Sequence, residues 1–220
     1  MRPTAGDQRI WIKHMDKDVP YSTEGIGEYV IELFPKDFKG VCIDVGAYHP
    51  IWQSNTYVFG LSGWTIFYVE PNPNCAHHFS KDLHQYAIGP ENKDEVDYFI
   101  YSDSEESSFT GLFHYPTPYQ LVRIIKVKQR TLNWFMDNVV KVPRLDYLSI
   151  DAEGFDLLVL QSIDLGKWDV NVITIENWNN YYYKNFPDKR TGTEAGEYLR
   201  SRGYQLVQHV YFNETYQKVD

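Results

Sequence analysis

Acids placed where strands should end are the first chemical signal in this sequence. "LSIDAEG" closes an apolar run on Asp151, with Glu153 two residues later, and "VITIEN" closes another on Glu176 and Asn177. If these runs are neighbouring strands, Asp151 and Glu176 lie side by side. Two carboxylates and a carboxamide oxygen are hard donors of the kind that hold Mg²⁺ or Mn²⁺. Without a cation, like charges this close raise one pKa and create a general base. Asp151 and Glu153 also stand just ahead of "FDLLVL", where either acid can cap a helix.

A second pair of acids lies upstream. "GVCIDVG" ends on Asp44 and Gly46, and "WTIFYVEP" ends on Glu70 about one β-α unit later. A glycine after a strand lets the backbone approach a ligand, and a carboxylate at the next strand end accepts hydrogen bonds from ribose hydroxyls. Together they read as a nucleoside site, although Tyr48, His49 and Pro50 stand where further glycines would be. Aromatic residues gather near the same ends: Tyr48, His49 and Trp52 after the first strand, and Trp178 in "NWNNYYYKNF" after the fifth. Flat rings beside acids and amides suit a sugar or polyol acceptor, so Tyr48, Trp52 and Trp178 are candidates to line it. Many of the other tyrosines simply pack, with their hydroxyls in water. His77, His78 and His84 fall in a predicted surface helix without metal-ligand partners.

The elements that must position these residues alternate in type. "STEGIGEYVIELFP" spaces Ile26, Tyr29, Val30 and Leu33 at helical intervals, with Ser22 as N-cap. Short buried strands follow at "GVCIDVG", "WTIFYVEP" and "YAIG". They are separated by helical stretches at "SNTYVFGLSG" and "CAHHFSKDLH". "EVDYFIYS" and "LVRIIKVKQ" read as strands flanking an insertion at 102–120, and "TLNWFMDNVV" as a helix capped by Thr131. The last third runs strand, helix, strand, helix, with Gly203 stopping the last helix. "YQLVQHVYFNETYQKV" then reads as a terminal hairpin. Apolar strands alternating with amphipathic helices predict a largely parallel sheet covered on both faces, closed by an antiparallel hairpin. No repeat or linker divides the chain, so residues 1–220 read as one domain, with 1–20 as an N-terminal arm.

Composition narrows the functions. The formal charge of −9 over 220 residues argues against a nucleic-acid partner, which needs Lys and Arg to neutralise phosphates. No apolar run is long enough to span a membrane, and "MRPTAGDQRI" lacks the apolar stretch of a signal peptide. Cys42 and Cys75 have no disulfide or zinc spacing, and a reducing, cytoplasmic setting is expected. There the sequon at Asn213 has no role.

"CIDVGAYHPIWQSNTYVFGLSGWTIFYVEPNP", the following "YAIG" and "LSIDAEGFDLLVLQS" resemble the FkbM family of S-adenosylmethionine-dependent methyltransferases. The resemblance runs in order from about Gly40 to Glu176. It implies a class I, Rossmann-like three-layer α/β sandwich with a mostly parallel seven-stranded sheet and a C-terminal antiparallel hairpin. It also implies methyl transfer, mostly to hydroxyls of sugars and natural products. Carried over, Asp44, Gly46 and Ala47 approach the methionine part of the cofactor, and Ser54, Asn55 and Thr56 shape the same pocket. Glu70 holds the ribose, Ala87 and Ile88 sit at the adenine, and Asp151 and Glu153 form the active-site edge. A looser similarity to catechol-type O-methyltransferases implies a cation on Asp151, Glu176 and Asn177. That pattern's lysine is absent, since Gly154 stands three residues after Asp151. No "NPPY" or "DPPY" follows the fourth strand, which disfavours methylation of a nucleobase amine.

The expectation is therefore a metal-assisted O-methyltransferase acting on a sugar hydroxyl, with Asp151, Glu153 or His49 taking the proton. The rival readings are methylation of a non-sugar natural product, a dinucleotide oxidoreductase, and a non-catalytic glycan-binding module. Oligomeric state is left open.

Overall fold

The computed structural model describes residues 22, 25–80, 82–101, 110–111, 120–177 and 193–219. The expected arm at 1–20, nearly all of the insertion at 102–120, and Trp178 lie outside the described residues.

Helix α1 (Ile26–Glu32) opens the described chain. Ser22 caps it from outside: its Oγ accepts from the Gly27 N–H at 2.9 Å and donates to the Glu28 carboxylate. The strands β1 (Val41–Val45), β2 (Thr65–Val69), β3 (Leu83–His84), β8 (Arg144–Ile150) and β9 (Asp169–Glu176) run parallel. The hairpin β10 (Tyr204–Val210) and β11 (Asn213–Lys218) completes a seven-stranded sheet in the order β10-β11-β9-β8-β1-β2-β3. The last strand thus inserts antiparallel between β9 and β10.

Both faces of this sheet are apolar, which is why the strands read as continuous hydrophobic runs. On one face Ile43, Leu148, Ile150 and Ile173 pack under α3 (Leu132–Phe135), α4 (Asp156–Gln161) and α5 (Glu194–Ser201). On the other, Cys42, Tyr147 and Val172 pack with α1 and with Phe59 of α2 (Tyr57–Leu61). Both cysteines are buried free thiols. Among the described residues no helix is long and apolar enough to cross a membrane.

Two local expectations are corrected. "CAHHFSKDLH" is not an α-helix. Asn72 caps a single 3₁₀ stretch (Pro73–His78), accepting from the Asn74 N–H at 3.0 Å, and Leu83–His84 then forms β3. "YAIG" is not the third strand of the main sheet either. It supplies β4 (Ala87–Ile88), which pairs with β7 (Arg123–Arg130) in a second sheet. That sheet has the order β4-β7-β5-β6, with β5 (Lys93–Ile100) and β6 (Thr110–Gly111). Each strand of β5 and β7 was legible locally; their partnership was not.

The crossing of strand ends at Gly46 organises the rim above the sheet. The Gly46 N–H donates to the Val69 carbonyl at 2.9 Å, and the Asp151 N–H donates to the Val45 carbonyl at 3.0 Å. Gly46 has φ +79, and a Cβ there would lie 1.7 Å from the Asp151 carbonyl oxygen. The chain's own backbone therefore demands this glycine. Gly46→Ala is expected to destabilise the protein by about 3 kcal/mol or more, read from the midpoint of urea unfolding. An unshifted midpoint would contradict this crossing.

Candidate active site

The register places the candidate acids in one row. Val45 pairs with both Val69 and Ile150, and Ile150 with Ile175. The next residues along are Gly46, Glu70, Asp151 and Glu176, all at the carboxyl ends of the strands, where open α/β sheets bind ligands.

Asp44 sits one step below, buried. Thr56 Oγ1 donates to its Oδ2 at 2.6 Å. Burial pushes Asp44 up to about 6, with the charge of Asp151 adding to the shift. The buried residues Ser54, Asn55 and Thr56 brace this site from beneath. The Ser54 and Thr56 hydroxyls are 3.3 Å apart, and Asn55 Nδ2 donates to Ser149 Oγ at 3.4 Å. A Cβ on Gly27 of α1 would come within 2.5 Å of the Asn55 carbonyl, so α1 is seated directly on this segment.

Glu70 is also buried. Its carboxylate accepts from the Asn72 N–H at 2.7 Å, the Tyr48 N–H at 3.3 Å and the Tyr98 hydroxyl at 3.5 Å. Burial nevertheless raises it to about 7. The Nδ2 of Asn72, two residues on, is buried with no hydrogen-bond partner. The turn at the end of β2 thus carries both an acceptor, Glu70, and an unused donor, Asn72. Ala87 and Ile88 are buried in the second sheet, and the Ile88 side chain belongs to the main core, so it is packed against protein.

The turn after β1 is strained at Tyr48 (φ +31) and Gln53 (φ +55). His49 holds it: Nδ1 accepts from the Ile51 and Trp52 N–H groups at 3.0 and 2.9 Å. Burial, followed by the neighbouring His78 and His77, lowers this ring to about 4. With Nδ1 accepting, the neutral ring carries its proton on Nε2. His49 is thus a brace for the turn, and its geometry does not offer a base. Tyr48 and Trp52 come together, with ring centroids 6.3 Å apart, and Trp52 is 43% exposed.

On the other side, Asp151 and Glu176 follow the paired residues Ile150 and Ile175 and so stand side by side at the ends of β8 and β9, as expected. Burial raises the Asp151 carboxyl, and the neighbouring Glu176 side chain opposes that rise. Asn177 does not join them. Its N–H donates to the Phe212 carbonyl at 2.6 Å, and its Nδ2 donates to Glu214 at 3.5 Å. Glu214 also accepts from Thr193 at 3.0 Å and Tyr216 at 2.8 Å. Among the described residues no group of three or more His, Cys, Asp or Glu side chains is placed to hold a metal ion. The Asn177 side-chain amide is thus turned towards the hairpin, and nothing among the described residues supports the expected cation on Asp151, Glu176 and Asn177.

Glu153 stands in the left-handed region at φ +50, which costs a non-glycine residue about 1 kcal/mol or more. No donor among the described residues reaches its carboxylate. Burial, then the charges of Asp151, Asp156 and Glu70, hold it well above the usual carboxylate range. Asp156 was missed in the sequence. It is buried and accepts from the Ala152 N–H at 2.7 Å and the Gly154 N–H at 2.8 Å. It binds the loop ahead of α4 rather than capping the helix, whose N-cap position, Phe155, has no side-chain hydrogen bond; the spacing in "DAEGFD" was the available clue.

The sequence pattern of the methyltransferase FkbM domain matches residues 44–206. The chain belongs to the FkbM methyltransferase family. No curated protein matches it. Among solved structures it is similar to the crystal structure of methyltransferase FkbM from Methylobacillus flagellatus KT, at 15% identity and a TM-score of 0.45. That similarity covers 90% of this chain and 48% of the other, so the chain spans about half the length of that FkbM protein.

The acids of this FkbM rim give stability a defined pH dependence. Asp44, Glu70 and Asp156 rise from ordinary values of 3.8, 4.5 and 3.8 to about 6, 7 and 7 in the folded protein. The folded state then binds more protons, so their contribution is fully present below the unfolded values and lost as pH rises through the folded ones. His49 acts in the opposite sense, but only below its ordinary 6.5. The melting temperature without ligand is expected to fall between about pH 6 and 8. Glu70→Gln removes one of these titrating groups and should flatten that fall, read as a shallower slope of melting temperature against pH. A melting temperature that rises across this window contradicts the assignment.

Proposed function

We propose that this FkbM-family chain is an S-adenosylmethionine-dependent O-methyltransferase acting on a hydroxyl of a small-molecule acceptor. The observation that carries the reading is the row of carboxylates at the ends of β1, β2, β8 and β9, buried at Asp44 and Glu70 and half-buried at Asp151 and Glu176. Asp44, Glu70 and Asp151 are all raised by desolvation, so their charges lack full compensation. A cationic ligand supplies it, which the sulfonium and ammonium groups of this cofactor do. The cofactor fits the donor set. Glu70 would offer acceptors to a ribose, the orphaned Asn72 Nδ2 of the same turn a donor, and Asp44 a carboxylate for the methionine part. Ser54, Asn55 and Thr56 act through Asp44 and Ser149. Gly46 and Ala47 supply the backbone turn.

When bound, the cofactor supplies a methyl group made electrophilic by its sulfonium. The chain's own task is to place the acceptor oxygen in line with that carbon and to remove its proton. Glu153 is the base: among the described residues no donor reaches its carboxylate, and burial beside Asp151, Asp156 and Glu70 raises its proton affinity. Its carboxylate takes the hydroxyl proton as the oxygen–carbon bond forms. Asp151 and Glu176, side by side at the strand ends, offer carboxyl oxygens that orient the acceptor.

The acceptor we favour is a sugar hydroxyl. The Trp52 ring, 43% exposed and tilted 50° from Tyr48, offers a face for a sugar to stack on; a non-sugar natural product is the other outcome of an acceptor panel. The two buried free thiols suit a reducing compartment, and we propose the cytoplasm as the setting.

Calorimetry should find S-adenosylhomocysteine binding to the parent, and Glu70→Gln should weaken it about 10- to 100-fold. Glu153→Gln should lower kcat by about 10²- to 10⁴-fold while leaving that binding intact. Binding of NAD but not of S-adenosylhomocysteine sinks the reading.

A further inference from the structure

We infer that Asp156 is a positioning residue for methyl transfer, holding the turn that presents Glu153 to the acceptor. This rests on the reading of Glu153 as the base. The two carboxylate oxygens of Asp156 each take one backbone N–H, from Ala152 at 2.7 Å and from Gly154 at 2.8 Å. These are the N–H groups on either side of Glu153. Both Glu153 (φ +50) and Gly154 (φ +85) are left-handed, a conformation that an isolated Glu avoids. One carboxylate gripping both flanks over-determines the turn and keeps Glu153 there.

The cap is not the ordinary one for a helix start. Asp156 is itself the first residue of α4, and Phe155, in the N-cap position, has no side-chain hydrogen bond. The bonds run backwards, from the helix into the loop. The helix is pinned beneath the site by Val159 and Leu160, both fully buried in the core. The position of Glu153 is thereby referred to the core through one side chain. Only an acid of this length supplies two acceptors at once. Asparagine supplies one, and turns an N–H group towards the other donor.

The test is a double-mutant cycle read in single-turnover transfer of labelled methyl. Asp156→Asn is expected to lower kcat about 100-fold with acceptor KM and S-adenosylhomocysteine affinity held, since a misplaced base affects the reacting geometry alone. On top of Glu153→Gln, Asp156→Asn should cause no further loss, because the residue it positions is already gone. If Asp156→Asn fails to fold, Gly154→Ala strains the same turn and leaves the carboxylate in place, and it should give the same non-additive pattern. A parental kcat in Asp156→Asn, or a full additional loss on top of an impaired Glu153→Gln, overturns the inference about Asp156. A parental kcat in Glu153→Gln alone overturns the reading of Glu153 instead.

Discussion

The rim depends on a backbone contact at Gly46. There β1 leaves the sheet with its N–H on the end of β2, while the first residue after β8 donates back to β1 and presses its carbonyl where a side chain would be. This contact brings three strand ends to one level. Asp44, Glu70 and Asp151 share that neighbourhood because their strands are parallel and in register, and parallel strands put all their carboxyl ends on one side. Move the crossing and the acids separate.

Bringing them together has an electrostatic consequence. Each carboxyl is desolvated and several repel one another, so their pKa values rise together. The folded protein tolerates this because hydroxyls and backbone N–H groups partly satisfy the carboxyls: Thr56 for Asp44, Asn72 and Tyr48 for Glu70, and Ala152 and Gly154 for Asp156. Glu153 has no such donor among the described residues. Stability conceded at such a rim is the usual companion of a site poised for a ligand.

Much of the fold was legible locally. Strands β1, β2, β8 and β9 are apolar enough to be read directly, and the terminal hairpin shows in its composition and turn. The 3₁₀ stretch was misread because His77, His78 and their neighbours have no strong periodicity, and a proline-capped turn looks like a helix start. The second sheet was invisible because β4 is only two residues long and its partner lies some forty positions on. Of the site, the strand-end acids were legible because strands make their last residues special. His49 was not, because nothing in its local sequence reveals that its ring turns back on the two N–H groups beyond it. Nor was the capture of Asn177, since Glu214 reaches it from the far end of the chain.

The sequence alone determined the element types, the alternation that makes a parallel sheet, and the acids that end the strands. Those follow from periodicity and burial, which act over a few residues. Tertiary structure decided which acids stand together, which are bound by backbone N–H groups, and which meet no donor among the described residues. Asp151 and Glu176 meet, Asn177 turns to the hairpin, and Asp156 grips the turn that carries Glu153. These outcomes depend on side chains from separate strands competing for the same few donors. That competition is settled only when register and packing bring them within about 3 Å of each other.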